Sequence, residues 1–202
     1  MSRAALAPVT AALAAAAGLI AAAPAAAAEA APDWSGPIAT ALAQAGAGLA
    51  AAQPADIADY CPGYAGLDPD QRQRFWSDFV SVLVDRESGG DAERTRFRAY
   101  DIDAGRPVFA RGLLQISIES SQHADYACGL SSPGELNDPI ANLDCGVRIL
   151  ARRIEADGAI AGRADGAWRG AARAWPSLRG PAPPWRSAIE ARDGGVCSST
   201  NG

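Results

Sequence analysis

Glu87 is the residue whose placement points most directly to chemistry. On a helical wheel turning about 100° per residue from Phe75, the residues Phe79, Leu83, Trp76 and Val80 form an apolar stripe. Glu87 falls at about 120°, between Trp76 and Val80, so an acid sits on the stripe. A carboxylate there loses hydration, and the last helical turn is the negative end of the helix dipole. Both effects favour the protonated form, which can give a proton to a departing oxygen, as in glycoside cleavage. The competing reading is structural: an acid at a helix end bonded to a neighbouring arginine such as Arg86 or Arg111.

Other polar residues form weaker patterns. Ser117, His123 and Asp125 lack the strand-to-helix elbow that a serine nucleophile needs, so they do not read as a hydrolytic triad. One histidine and four scattered cysteines do not make a zinc site. Arg94, Arg96, Arg98 and Arg106 could meet an anionic ligand, but they read more simply as a solvated loop. A hydrolytic glycosidase needs a second carboxylate across its cleft, and Asp101, Asp103 and Asp125 are the candidates.

Elements must position Glu87. Asp68-Pro69 reads as a cap followed by proline in the first turn, opening a helix that runs to Ser88 and stops at Gly89-Gly90. Tyr100-Asp101-Ile102 and Val108-Phe109 flank a turn at Asp103-Ala104-Gly105, a possible hairpin. Gly112-Leu113-Leu114-Gln115-Ile116-Ser117 then leads into a short helical stretch through Tyr126. Asn137-Asp138-Pro139 opens another helix, with Ile140, Leu143, Val147, Leu150 and Ile154 on one face, ending near Gly158. Trp168, Ala172 and Trp175 fit a stripe on a further helix that Pro176 stops. Pro181, Pro183 and Pro184 mark an extended tail with a short turn over 185–191. The expectation is a mainly α domain with at most a small β-hairpin.

Composition narrows the function classes. The chain has 202 residues and a net charge of -5, and all 18 basic residues are arginine. An acidic domain has no broad electrostatic reason to bind nucleic acid or anionic lipid. No internal stretch is apolar enough for a membrane span. Residues 1–28 carry Arg3, an apolar run from Ala11 to Ala23 and a small-residue region before Glu29, the order of a cleavable secretory signal. Residues 29–59 are rich in Ala, Gly and Pro; a short helix could form around Ile38–Ala52, but with little bulky apolar surface the segment reads as a linker, leaving 60–200 as the folded domain. In an exported chain, Cys61, Cys128, Cys145 and Cys197 read as two disulfides. Of three possible pairings we favour Cys128–Cys145, which closes a short loop onto a helix, with Cys61–Cys197 tying the start of the domain to its end.

Three motifs stand in order along the chain. They are Glu87-Ser88, then Gly112-Leu113-Leu114-Gln115-Ile116, then Asn137-Asp138-Pro139-Ile140-Ala141-Asn142-Leu143 with Gly146. Together they resemble lytic transglycosylases with the soluble-transglycosylase (SLT) type of lysozyme-like domain, over roughly residues 61–178. The resemblance implies an enzyme that acts on peptidoglycan glycan strands as a monomer, periplasmic or secreted, with no cofactor and no metal. That family cleaves the β-1,4 bond between N-acetylmuramic acid and N-acetylglucosamine, the muramic acid's own 6-hydroxyl attacking to leave a 1,6-anhydro end. Glu87 would be the catalytic acid and base. Gln115 and Ser117 would line the sugar subsites, or serve as loop and helix caps, and Ser88 would orient Glu87. Leu114 replaces a methionine of the family pattern, and 28 positions separate Glu87 from Gln115, a longer gap than usual. The family's later Ala-Tyr-Asn motif is absent. Ala172-Arg173-Ala174-Trp175-Pro176 stands there instead, with Trp175 either a flat wall for a sugar or a core residue. A muramidase using water, and a non-catalytic peptidoglycan-binding protein, are the alternatives.

Overall fold

Helix α3, Pro69–Glu87, is closed at its start by a reciprocal cap. The Asp68 carboxylate accepts from the Gln71 amide at 2.8 Å, and the Gln71 side chain accepts from the Asp68 amide at 2.9 Å. Pro69 occupies the first turn, where its missing N–H costs nothing. A cap of this kind is worth about 1 kcal/mol. The buried face of α3 carries Phe75, Trp76, Phe79, Val80, Leu83 and, at its end, Glu87. These rings form an edge-on cluster with Tyr60 and Tyr64, and Trp185 stacks on Phe79 at 5.3 Å. Tyr64 completes its polar needs inside the core, accepting from Trp76 Nε1 at 2.9 Å and donating to Leu49 O at 3.3 Å.

The computed structural model describes residues 32–197, so the expected signal segment 1–28 lies outside the described residues. The remaining elements are α1 (Ser35–Ala45), α2 (Ile57–Tyr60), the antiparallel pair β1 (Thr95–Asp101) and β2 (Arg106–Arg111), α4 (Ile118–Ser121), α5 (Pro139–Asp157), a two-residue pair β3 (Arg163–Ala164) and β4 (Ala167–Trp168), and α6 (Pro183–Asp193). The domain is mainly helical, with the expected hairpin as its larger sheet. Among the described residues no helix is long and apolar enough to cross a membrane. Both expected disulfides are formed, Cys61–Cys197 and Cys128–Cys145.

Helix α5 is the central rod. Asp138 caps it by accepting from the Ile140 and Ala141 amides, and Gly158 ends it in the left-handed conformation. It is buried on more than one side, with Asn142, Leu143, Cys145, Val147, Ile149 and Leu150 all in the core. Ile140, expected on the buried stripe, is 57% exposed because it lies in the first turn, where the helix emerges at the surface.

Three sequence expectations are corrected. Residues 29–59 are not simply a linker: α1 packs on α3 and α5, with Ile38, Ala41 and Leu42 buried. Their i, i+3, i+4 spacing is a helical apolar face in miniature, disguised by the surrounding alanines. The helix expected through Trp168, Ala172 and Trp175 is replaced by the β3–β4 hairpin and two 3-10 turns. Asp165 and Gly166 both take positive φ at the hairpin tip, as a tight two-residue turn requires. Gly170 then takes φ +60°, and a Cβ there would lie 1.9 Å from Ala159 O, so the chain passes against the segment that follows α5 in a conformation no regular helix adopts. Last, the proline-marked tail forms α6, its prolines filling the first turn where they are tolerated.

Candidate active site

Glu87 is the last residue of α3 and is 6% exposed. The Ser177 hydroxyl donates to Glu87 Oε1 at 2.5 Å. Arg96, on β1, donates from Nη2 to the Glu87 carbonyl at 3.1 Å, and Arg94 donates to the Ser88 carbonyl at 3.3 Å. Gly89 and Gly90 follow with φ +69° and +81°, and Trp34, just before α1, donates from its indole to Gly90 O at 3.0 Å. The end of α3 is therefore held from both sides. The Glu87 carboxylate is bonded to a serine and not to Arg86 or Arg111, as the competing structural reading had it, while Arg94 and Arg96 bind the backbone.

The loop over residues 112–115 is linked to this helix end through Arg94, whose carbonyl accepts from the Gly112 amide and the Gln115 side chain while its guanidinium holds the Ser88 carbonyl. Arg111 and Ile116 exchange both backbone hydrogen bonds and close it. Buried Asn142 of α5 fills its interior, accepting from the Leu114 amide at 2.8 Å and donating to Arg111 O at 3.0 Å and Leu136 O at 2.8 Å. Leu114 presses on Gly146, where a Cβ would lie 2.2 Å from its side chain. Trp175 donates from its indole to Leu114 O at 2.8 Å. The Asn and Gly read as motif positions in the sequence thus have one physical task, docking this loop on α5.

Gln115, at the end of the loop, has φ +47° and is 3% exposed. Its amide nitrogen donates to Arg94 O and Gly112 O, both at 2.9 Å, while its oxygen has no partner. Gln115, Trp175, Arg98 and Glu119 line a cavity of about 280 Å³. Trp175 is a core residue, its ring only 2% exposed, and it also lines the cavity. Tyr126 lies at the cavity's floor, where burial pushes its phenol up against the opposing pull of Arg153 and Arg173, so it stays neutral.

Two expected partners are placed elsewhere. The Ser88 hydroxyl donates to Val84 O at 3.1 Å and accepts from the Gly90 amide, so it finishes the helix rather than orienting the Glu87 carboxylate. Ser117 caps α4 through the Ser120 amide, the capping role of a buried serine rather than a sugar contact. Asp101 caps the hairpin turn through the Ala104 amide, and Asp125 sits exposed beside His123. The arginines read as a solvated loop are exposed, as expected, but stand on or beside a hairpin and are tied down at their tips: Arg98 donates to Ala174 O at 3.0 Å and Arg106 pairs with Glu119 at 2.7 Å.

Sequence reasoning missed Ser177 and Glu119. Ser177 follows Trp175-Pro176, where the family's tyrosine motif would stand, and the proline starting a 3-10 turn was the available signal. Glu119 gave none, because it lies in the exposed-looking first turn of a four-residue helix.

A buried acid ending a core helix, linked to a loop docked on a second helix, defines a lysozyme-like domain. The chain belongs to the transglycosylase SLT domain family, whose match covers residues 68–174. Solved structures of DslA (Bd0314) resemble it at 38% identity over 81% of this chain and 90% of theirs. The wild-type form superposes with a TM-score of 0.71, and a form with one glutamate changed to glutamine with 0.72. Another DslA structure carries the same kind of change at a different glutamate. No curated protein sequence matches the chain.

Proposed function

We propose that this protein cleaves the β-1,4 glycosidic bond of peptidoglycan strands with Glu87 as the catalytic acid and then base. The observation that supports it is the Glu87 carboxylate, 6% exposed at a rigid helix end and held at one oxygen by the Ser177 hydroxyl at 2.5 Å. With Oε1 committed to Ser177, Oε2 is the oxygen that meets the glycosidic oxygen. Glu87 gives its proton to that oxygen as the bond to the anomeric carbon breaks. The muramic acid's 6-hydroxyl then attacks the anomeric carbon and passes its proton to the Glu87 carboxylate, which restores the acid. The nucleophile belongs to the substrate, so its effective concentration is high and one carboxylate suffices. Ser177 stabilises the carboxylate between the two steps by donating to it. This is the part taken, in the family pattern, by a tyrosine that this chain lacks.

Peptidoglycan lies outside the cytoplasm, and residues 1–28 supply the export signal in this reading. The enzyme works as a monomer and needs no cofactor.

A second reading is hydrolysis with two carboxylates, as in a muramidase. Two observations favour considering it. The DslA structures include glutamine variants at two different glutamates. In this chain Glu119 is the carboxylate that lines the cavity beside Gln115. Mass spectrometry of a digest of purified peptidoglycan separates the readings. Products ending in 1,6-anhydro-muramic acid, lighter by one water, are expected; reducing muramic acid ends throughout would establish the hydrolytic reading, and undigested strands would remove both.

A further inference from the structure

The cavity beside Gln115 is connected to the acid by two short links. Arg96 holds the Glu87 carbonyl, and Arg98, two residues on, lines the cavity. Trp175 lines the cavity, and Ser177, two residues on, donates to the Glu87 carboxylate. Among the described residues, four buried side-chain polar atoms have no hydrogen-bond partner, and three of these belong to residues lining this one cavity. They are Gln115 Oε1, Glu119 Oε2 and Arg153 Nε. Buried polar atoms are normally satisfied, so the gathering of three of them in the lining of one cavity points to polar recognition there. The Gln115 amide is oriented unambiguously, because both acceptors of its nitrogen are backbone carbonyls.

We propose that the cavity binds the zwitterionic end of a peptidoglycan stem peptide, an ammonium and a carboxylate on one carbon, as a diamino-acid side chain carries. The proposal rests on the glycan-cleavage reading above for its source of ligand. Two acceptor atoms without partners, Gln115 Oε1 and the second oxygen of a Glu119 carboxylate whose Oε1 is paired with Arg106, call for an ammonium group that can donate to both. An unpaired guanidinium nitrogen on Arg153, with Arg98 and Arg173 also lining the space, calls for a carboxylate. Neither charge alone fits. Three arginines against one glutamate repel a lone cation. A lone anion leaves Gln115 and Glu119 as unsatisfied as before. Volume narrows the choice further: about 280 Å³ admits an amino-acid head group, while sites for larger ligands run to about 300–1,000 Å³. The unpaired atoms are covered from water, so entry turns aside the exposed rim side chains of Arg98 and Arg173.

Calorimetric titration of the full chain tests this with a stem tripeptide ending in meso-diaminopimelate, which has no glycosidic bond to cut. The free tripeptide should bind saturably. Acetylating its side-chain amine, or amidating the neighbouring carboxylate, should each weaken binding at least tenfold. Glu119→Gln should weaken the free tripeptide far more than the acetylated one, and Arg153→Gln the free more than the amidated one. Equal affinity for free and blocked tripeptides, or no saturable binding, overturns the proposal, and these arms use the natural chain, so they stand if a variant fails to fold. Glycan digestion without tripeptide binding overturns this inference alone. Tripeptide binding without any digestion leaves the site established and overturns the cleavage reading.

Discussion

The two walls beside Glu87 are built by opposite means. The loop over 112–115 is held by buried contacts: hydrogen bonds from Asn142 to Leu114 and to the closing residue Arg111, an indole bond from Trp175 and close packing on Gly146. The β1–β2 hairpin lies at the surface, with Phe97 59% and Ile102 86% exposed, and it is tied to the site by arginines that reach backbone carbonyls. Buried bonds are costly to break because the separated groups cannot turn to water, whereas an exposed guanidinium that loses a carbonyl is rehydrated at once. One wall is therefore a fixed template and the other an adjustable flap of backbone on side-chain struts. Glu87 stands where they meet, its carboxylate tied to Ser177 and its carbonyl to Arg96.

The largest expected effect is at that junction. Glu87→Gln keeps the shape and removes the transferable proton, so turnover of purified peptidoglycan should fall by about 10²-fold or more with the melting curve little changed. Next comes the fixed wall. Asn142→Leu strands the Leu114 amide and two carbonyls, and denaturant unfolding should show a loss of about 3 kcal/mol or more. Ser177→Ala should lower turnover by about tenfold, the usual value of a hydrogen bond to a charged group, with less effect on stability. The adjustable wall should respond least: Arg96→Gln should cost under about 1 kcal/mol in the same unfolding assay. A loss from Arg96→Gln equal to that from Asn142→Leu would erase the distinction between the walls.

The way these regions were legible in the sequence follows the same division. Asp68-Pro69 and Asp138-Pro139 announce their helices because a cap and a first-turn proline act locally, and both helices start where those residues predict. The ordered motifs located the loop and the acid, since close packing on Gly146 and the filled amide of Asn142 leave few residue types possible. Helix α1 was obscured because alanine supplies bulk without pattern, and only Ile38, Ala41 and Leu42 carry the period. Ser177 was out of reach for a different reason. It lies 90 positions from Glu87, and its role arises from tertiary packing that no local rule encodes. The arginines are exposed as read, but the carbonyls they reach were not legible, because the sequence does not say where a long side chain ends.

A smaller, pH-dependent effect sharpens how the Trp175 segment is anchored. Asp157, at the end of α5, accepts from the Gly170 amide at 2.7 Å and pairs with Arg169 and Arg173. Burial pushes its carboxyl up, but the Gly170 bond and the two guanidiniums outweigh that and hold it below the ordinary value. A depressed carboxyl contributes stability that is present above its unfolded value, near 4, and is lost as pH falls through the folded value. Unfolding measured from pH 5 down to pH 2 should therefore lose a small stabilising increment that Asp157→Asn lacks from the outset.

The Cys61–Cys197 bond has a consequence for how the protein meets proteases. Its partners are 136 positions apart, so nearly all of α3 through α6 lies on a covalently closed circuit of chain. Fraying from the C-terminus stops at Cys197, and a single cut at the exposed Ile102 turn opens the circuit without releasing a fragment. A clipped molecule would keep its full mass until it was reduced. After a first nick the protein would thereby persist as two chains still stapled around the buried Glu87.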